Sequence, residues 1–340
     1  IEGYSCSTVI GNLSRKASLR MFVPINRPSS EPLPLVFAVA ITVKPALEDT
    51  GIWFRRLDVP QRQSMVHAHY TNVAGSSLCT TIENTYGIKV STVEHLMAAF
   101  AGTGIHNAIV EIDGPEVPIL DGSSLEFVKE ILSKGVIQLS KPIRAFRVLD
   151  EIEVREGDLW AKISPAKTLS ISFGIDFKDY AIGSQELAIS MCNGSFVREV
   201  SYCRTFCSMS DVQEMHSKGL AKGGSLENAV VAEGDKILTP GGLRINDECV
   251  RHKILDALGD LSLAGGVLIG SYVSYKGGHR LTNALLRKAF SKDKYLEAID
   301  VNEEMVKKQP GFKHVFSLIF IDFQRFLDPN FNDFLIDFWT

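Results

Sequence analysis

The chain has 340 residues, of which 45% are hydrophobic and 22% are charged, and its formal net charge is −4. This composition is typical of a globular protein with enough apolar side chains for substantial cores, and the length favours two domains. The negative charge and the lack of a basic stripe argue against nucleic-acid binding, so a small-molecule substrate is more plausible. No apolar run reaches the roughly 18 residues of a transmembrane helix, so no transmembrane segment is predicted.

The first part of the chain alternates strand and helix patterns. The predicted elements, in chain order, are strands at residues 38–43 and 52–54, a β-rich stretch to residue 81, a helix at 93–101 ending at Gly102, a strand at 108–112 and a helix at 125–132. Glycine and proline clusters separate them.

After Lys141-Pro142 a similar order returns. The predicted elements are strands at residues 143–154, 159–163 and 169–177, helices at 210–217 and 247–263, a strand at 267–275 and a helix at 282–290. Two halves of similar content predict an α+β pair of domains, residues 1–140 and 141–300, packed face to face. Their motifs then meet at the interface, where pockets commonly form.

The six cysteines follow no CxxC metal spacing, and a chain of this length does not need a disulfide framework. We interpret them as free thiols in a reducing compartment. Cys203 and Cys207 lie four residues apart, but a buried apolar role is favoured over a ligand role.

Two short segments far apart in the chain can form one open metal site. They read STVEH at residues 91–95 and RHKILD at residues 251–256. Four-residue spacing on a helix places His252 and Asp256 on one face, one turn apart. With His95 they make three N/O ligands, the number typical of catalytic zinc, which keeps its fourth position for water. Glu94 then fits a general base.

Each segment also fits a structural role. Ser91 and Glu94 match the capping box S-x-x-E at the start of an apolar helix. The spacing of His252 and Asp256 is also that of an exposed pair on a helix surface. However, Asp256 and Asp260 put negative charge toward the end of a helix, which the macrodipole disfavours and a cation or imidazole would offset. The residues alone leave both interpretations open.

Five longer motifs in a fixed order identify a family resemblance. They read STVEHLM at 91–97, DGPEVPILDGS at 113–123, GGSLENA at 223–229, VRHKILD at 250–256 and YKGGH at 275–279. In this order they resemble the zinc-dependent UDP-3-O-acyl-N-acetylglucosamine deacetylases of lipid A biosynthesis, the LpxC family, from about residue 45 to 290. The resemblance implies two similar α+β domains, each a β-sheet with helices, packed so that the helices are sandwiched between the sheets.

The resemblance also implies a role for individual residues. The implied Zn²⁺ ligands are His95, His252 and Asp256, with Glu94 as general base, His279 as general acid or electrostatic stabiliser, Asp260 as the carboxylate that orients it, and Thr205 as the hydroxyl donor to the oxyanion. Zinc suits this chemistry because it lowers the pKa of its bound water toward about 7 and polarises the acetamide carbonyl.

Further positions match the family's substrate contacts. Lys253 and Lys276 match positions near diphosphate or sugar oxygens, although a solvated surface role is the default for a lysine. An insert of the C-terminal domain holds the acyl chain in this family, and its apolar residues here are Phe206, Met209, Val212 and Met215. Helical spacing makes ordinary core the alternative for them.

Two terminal segments depart from the family pattern. Residues 1–37 lack the family's opening Gly-x-Gly-Leu-His-Ser-Gly-like hairpin, and residues 301–340 form a tail without a family counterpart. We expect the residues before about 34 and after about 310 to be irregular or poorly packed.

The function predicted from these observations is zinc-dependent removal of acetate from the 2-amino group of a UDP-linked, 3-O-acylated glucosamine, by a monomer. The alternatives are a zinc deacetylase acting on another acylated amino sugar and a non-catalytic family member that keeps the fold. A bacterial source predicts a cytoplasmic location and a eukaryotic source an organelle.

Overall fold

The computed structural model describes residues 7–10, 39–75, 78–192, 194–217 and 225–301. Its strands, in chain order, are β1 Ser7–Ile10, β2 Ile41–Pro45, β3 Ile52–Arg56, β4 Met65–His67, β5 Val73–Ala74, β6 Thr81–Glu83, β7 Lys89–Val90, β8 Ala108–Ile112, β9 Ile137–Val148, β10 Ile152–Glu156, β11 Leu159–Ser164, β12 Ser170–Asp176, β13 Ser184–Ser190, β14 Phe206–Ser208, β15 Val230–Glu233, β16 Lys236–Ile237, β17 Val267–Ile269, β18 Ser271–Tyr275 and β19 Leu296–Val301. Its α-helices are α1 Glu94–Thr103, α2 Leu125–Lys134, α3 Met209–Ser217, α4 Glu248–Ser262 and α5 His279–Ala289. None of these helices is long and apolar enough to cross a membrane.

Two mixed sheets repeat one connectivity. The first has the order β2-β8-β3-β4, in which a central parallel pair is flanked by antiparallel pairs. The strands β11-β18-β12-β13 of the second sheet have the same arrangement, and β10 extends it beside β11. In the first sheet β8 lies between β2 and β3, and in the second β18 lies between β11 and β12. Each of these central strands comes after a buried helix in the chain, α1 before β8 and α4 before β18. The α+β class is therefore confirmed. The domain boundary between residues 140 and 141 stays a prediction. Strand β9 runs across this position.

Three further sheets complete the described structure. They are β9 with β1, β17 and β19, then β5-β6-β7, and β14-β15-β16. Residues 7–10 pair antiparallel with β9, so the expectation of an irregular N-terminal segment is wrong for these four residues. The other residues of the segment 1–37, and the tail after Val301, lie outside the described residues.

Helices α1 and α4 lie at the centre of the packing. Eight of the ten residues of α1 are buried, including its polar first turn, which indicates a helix enclosed on all sides. One buried cluster joins Phe54 and Phe173, from the two mixed sheets, with Leu96 of α1 and Ile254 of α4. The two helices are in direct contact, because a Cβ placed on Gly259 would lie 2.1 Å from the carbonyl oxygen of Glu94.

We expect Gly259→Ala to lower the free energy of unfolding by about 1–3 kcal/mol, the usual cost of overpacking. Alanine is better than glycine inside a helix by up to about 1 kcal/mol, but the new methyl group would meet a backbone oxygen that cannot rotate away. Urea unfolding measures the effect. Gly75→Ala is the control, since a Cβ there meets nothing within 4 Å. Equal stability of both variants would show that α1 and α4 can separate without cost.

The start and end of α1 differ from the prediction. The helix begins at Glu94 with no side-chain cap hydrogen bond. The capping-box interpretation is wrong, because the Ser91 N–H donates to the carbonyl of Pro115 and the Thr81 hydroxyl donates to Ser91 Oγ. The helix also continues past Gly102 and ends before Gly104, whose φ of 77° is left-handed.

Two later elements also differ. The strand predicted over residues 267–275 is two strands, β17 and β18, which belong to different sheets. Gly270 lies between them, where a Cβ would come within 2.7 Å of a Val148 methyl group. Helix α5 begins at His279 rather than at residue 282. This earlier start places His279 in the first turn of the helix.

Candidate metal centre and active-site pocket

Three side chains from two helices converge on one point. His95 lies in the first turn of α1, and His252 and Asp256 lie one turn apart on α4. Their ligand atoms all lie within 4.8 Å of one another, and all three residues are buried. Asp256 Oδ1 is 3.2 Å from His252 Nε2 and 3.6 Å from His95 Nε2. The alternative of an exposed pair on a helix surface is therefore wrong for His252 and Asp256.

The hydrogen bonds of this trio fit a bound cation. His252 Nδ1 lies 3.0 Å from the carbonyl oxygen of Cys203, which it can bond only as an N–H donor. In the neutral imidazole, Nε2 then turns a lone pair toward Asp256 Oδ1. Within the described residues, His95 Nδ1 and Asp256 Oδ1 are the buried side-chain atoms without a hydrogen-bond partner. Such atoms are rare in native proteins, and the trio could hold a metal ion.

The charge of Asp256 is fixed by its neighbours. Burial by itself would raise the pKa of this carboxyl group, but His252 and Lys253 hold it well below its usual range. Lys253 Nζ donates to Asp256 Oδ2 at 2.9 Å. One carboxylate oxygen is thus engaged by a lysine, and the other faces the two imidazoles.

Glu94 lies beside the trio at the start of α1. Its Oε2 accepts a hydrogen bond from the backbone N–H of Thr80 at 3.0 Å. Its Oε1 lies 3.8 Å from His279 Nε2. Burial raises the pKa of Glu94 to about 7. A carboxyl group with this pKa can both accept and release a proton near neutral pH.

His279 and Asp260 form a hydrogen-bonded pair on the other side of Glu94. His279 Nδ1 lies 2.8 Å from Asp260 Oδ2, and Asp260 is buried. Burial alone would lower the pKa of His279, but the carboxylates of Asp260 and Glu94 raise it to about 10. The imidazole is therefore protonated at neutral pH.

These groups border one cavity of about 390 Å³. Nine of the ten residues predicted for the site line it, namely Glu94, His95, Thr205, Phe206, His252, Lys253, Asp256, Lys276 and His279. The tenth, Asp260, lies behind His279 and binds its ring. Apolar side chains also line the cavity, namely Leu78, Leu159, Ile175, Phe177 and Phe206.

Thr205 lies immediately before β14, Phe206 is the first residue of that strand, and both line the cavity. The backbone of Thr205 is held on both sides, since its N–H donates to Gly122 and its carbonyl accepts from Val230. Phe206 packs edge to face against Phe177, with ring centroids 5.2 Å apart. Among the described residues, Met209 and Val212 do not line the cavity, and the side chain of Met215 lies outside the described residues.

Both predicted lysines are paired with aspartates at the cavity. The Lys253 side chain is only 17% exposed, so the surface interpretation is wrong for it. Lys276 Nζ lies 2.6 Å from Asp176 Oδ2, and the Lys276 side chain is 31% exposed. Lys276 also has a φ of 53°, an uncommon backbone conformation for a residue with a side chain.

A strained backbone precedes the Glu94-His95 pair. Thr92 has a φ of 56°, which is a genuine outlier for a β-branched residue. Its hydroxyl donates to Glu116 Oε1 at 2.6 Å, which helps to hold this conformation. Strain of this kind persists only where the surroundings impose it, and it concentrates at functional sites.

Sequence reasoning missed several residues of the site. Thr80 was part of a β-rich stretch, yet it binds both Glu94 and Asp260. Ile175 and Asp176, at the end of β12, line the cavity, whereas the sequence predicts only a strand there. None of these positions has a spacing signature, because their roles arise from contacts between distant segments.

Comparison with known proteins agrees with this geometry. The family model described as LpxC, UDP-3-O-acyl N-acetylglycosamine deacetylase, matches residues 37–291. Similar proteins named UDP-3-O-acyl-N-acetylglucosamine deacetylase occur in Teredinibacter turnerae, at 44% identity over 78% of this chain and 88% of that protein. The protein of the same name from Phenylobacterium zucineum is 44% identical over 73% of this chain and 84% of that protein. The one from Pasteurella multocida is 39% identical over 78% of this chain and 88% of that protein. The chain therefore belongs to the LpxC family of UDP-3-O-acyl N-acetylglycosamine deacetylases.

Proposed function

We propose that the chain is a zinc-dependent hydrolase that removes the acetyl group from UDP-3-O-acyl-N-acetylglucosamine. The observation that carries this proposal is one cavity lined by three potential metal ligands, the buried Glu94 side chain and the His279 imidazole. Two imidazoles and one carboxylate are a donor set typical of catalytic zinc. Membership of the deacetylase family gives the reaction class and the substrate.

The proposal assigns the metal to His95, His252 and Asp256. Zinc bound there would lower the pKa of a water molecule to about 7 and polarise the acetyl carbonyl. Glu94 takes the proton of the attacking water at Oε1, the oxygen that Thr80 leaves free. The water oxygen bonds to the acetyl carbon as this proton leaves.

The leaving amine needs a proton, and His279 supplies it. Its Nδ1–H is held by Asp260, so Nε2 is the atom that donates to the amine nitrogen as the C–N bond breaks. The products are acetate and the free amine. The hydroxyl of Thr205, which lines the cavity, donates to the oxyanion that forms on the former carbonyl oxygen.

The charged and the apolar residues that line the cavity suit the two parts of the substrate. Lys253 and Lys276 supply positive charge for sugar or diphosphate oxygens. Phe206 and the neighbouring apolar side chains contact the acyl chain in this proposal. The proposal includes a monomer, located in the cytoplasm if the source is bacterial and in an organelle if the source is eukaryotic.

The test is acetate release from UDP-3-O-acyl-N-acetylglucosamine by the purified chain, together with its metal content. We expect one zinc per chain, loss of acetate release on chelation, and its return on adding zinc. UDP-N-acetylglucosamine without the acyl chain is the control substrate and should be turned over poorly. Zinc without acetate release would favour a binding protein. Acetate release only from another acylated amino sugar would show that the chain is a deacetylase with a different substrate.

A further inference from the structure

Thr80 connects three points of the site. It lies immediately before β6, is 2% exposed, and does not line the cavity. Its backbone N–H donates to Glu94 Oε2 at 3.0 Å, and its hydroxyl donates to Asp260 Oδ1 at 2.5 Å. Its carbonyl accepts from the N–H of Val93, just before α1, at 3.2 Å. One residue thus joins the start of α1 to α4.

The contacts of Thr80 determine which carboxylate oxygens remain available. With Oε2 of Glu94 bound, Oε1 is the oxygen that faces His279 Nε2. With Oδ1 of Asp260 bound, Oδ2 is the oxygen that accepts from His279 Nδ1. The His279 ring therefore lies between two carboxylates, each held by Thr80 through its other oxygen.

The neighbouring threonine shows that this arrangement is specific to position 80. The hydroxyl of Thr81 donates to Ser91 Oγ at 3.0 Å and reaches neither carboxylate. Both threonines are buried. The pair offers a matched comparison, since the same chemical change can be made at two adjacent residues of which only one bonds Asp260.

We propose that Thr80 is a positioning residue for the hydrolysis, whose hydroxyl fixes the Asp260 carboxylate and thereby the orientation of the His279 ring toward Glu94 and the cavity. The inference rests on the proposed function. Without the hydroxyl, Asp260 Oδ1 is buried with no donor, and the carboxylate can rotate away from His279. The backbone bond from Thr80 to Glu94 does not depend on the side chain, so Glu94 keeps its position.

Thr80→Val removes the hydroxyl while keeping the β-branched shape. We expect kcat for acetate release to fall about 10- to 100-fold, because a small misplacement of a catalytic group can cost about 100-fold in rate. KM should stay within about threefold and zinc stoichiometry should not change, since Thr80 touches neither the cavity nor the trio. Thr80→Ser restores the hydroxyl and should recover kcat to within about threefold of the wild type. Thr81→Val is the matched control, with kcat within about twofold.

Two further measurements separate positioning from a purely structural role. In protein labelled with ¹⁵N-histidine, the Nδ1–H resonance of His279 should shift in Thr80→Val and not in Thr81→Val, while that of His252, bonded to Cys203, should stay in place. In an Asp260→Ala background, Thr80→Val should cost less than about twofold, because the group through which it acts is already gone. Thr80→Ala gives the same comparisons if the valine variant folds poorly.

Several results would overturn the inference. One is a Thr80→Val enzyme with wild-type kcat and an unchanged His279 resonance. Another is an equal loss in the serine and valine variants, which would show that the hydroxyl is not the active feature. A third is a full, multiplicative loss in the Asp260→Ala background. If instead the wild type releases no acetate, the proposed function fails, and the resonance still reports whether Thr80 holds the His279 ring.

Discussion

Asp256→Asn should lower zinc affinity by more than about 100-fold, since even loss of an outer-shell partner costs about 10- to 100-fold. Asp256 supplies the one carboxylate in the trio, and its Oδ1 has no hydrogen-bond partner. Asparagine has the same shape and can still accept from Lys253, but it carries no charge to attract the cation. Acetate release at limiting zinc should fall to background. Competition with a chromophoric chelator measures the affinity.

The control for this change is Asp247→Asn. Asp247 immediately precedes the same helix and pairs with Arg251 rather than with the trio, so zinc affinity should stay within about twofold. Circular dichroism of the metal-free variants shows whether each still folds. A folded Asp256→Asn protein that retains zinc as tightly as the wild type would remove Asp256 from the ligand set.

Local helix geometry predicts the pairing of His252 and Asp256, and the family resemblance predicts that His95 joins them. Four-residue spacing on α4 places His252 and Asp256 on one face whatever the rest of the fold does. Glu94 and His95 are adjacent residues in the first turn of α1, so their side chains diverge by about 100°. What the sequence could not supply is the direct contact of the two helices at Gly259, since a glycine within a helix has several possible explanations.

The capping-box interpretation is wrong because of tertiary contacts. The S-x-x-E pattern is a local signal, and in an isolated helix the Ser91 and Glu94 side chains would bond backbone groups of the first turn. Here the Ser91 N–H bonds Pro115 instead, and the Glu94 carboxylate bonds Thr80. Contacts with distant segments have replaced the local ones and have freed the carboxylate for the cavity.

The contacts of Thr80 and Lys276 lay beyond sequence reasoning. Thr80 bonds one residue 14 positions later and another 180 positions later. Lys276, just after β18, pairs with Asp176 at the end of β12. These two strands are neighbours in the sheet but are about 100 residues apart in the chain. Neither partner is marked by a periodic pattern. Side-chain pairs of this kind depend on how sheets and helices pack together, which local propensity does not specify.

Glu94→Gln should lower kcat for acetate release by about 10²- to 10⁴-fold, the usual contribution of a general base. Glutamine keeps an oxygen that can accept from the Thr80 N–H, so the side chain should stay in place. It cannot take a proton from the attacking water. Zinc stoichiometry should not change, because Glu94 is outside the trio. Steady-state kinetics and metal analysis of the same preparation measure both quantities.

Stability provides a second measure of the same substitution. Burial raises the pKa of Glu94 to about 7, so the stability that the neutral carboxyl group contributes is lost as pH rises through that value. The metal-free Glu94→Gln protein, which cannot ionise, should therefore be at least as stable as the metal-free wild type at pH 8. Glu126→Gln, at a partly exposed residue of α2 paired with Lys129, is the control and should change neither kcat nor stability appreciably. A Glu94→Gln enzyme that keeps zinc, folds normally and releases acetate at the wild-type rate would exclude Glu94 as the base.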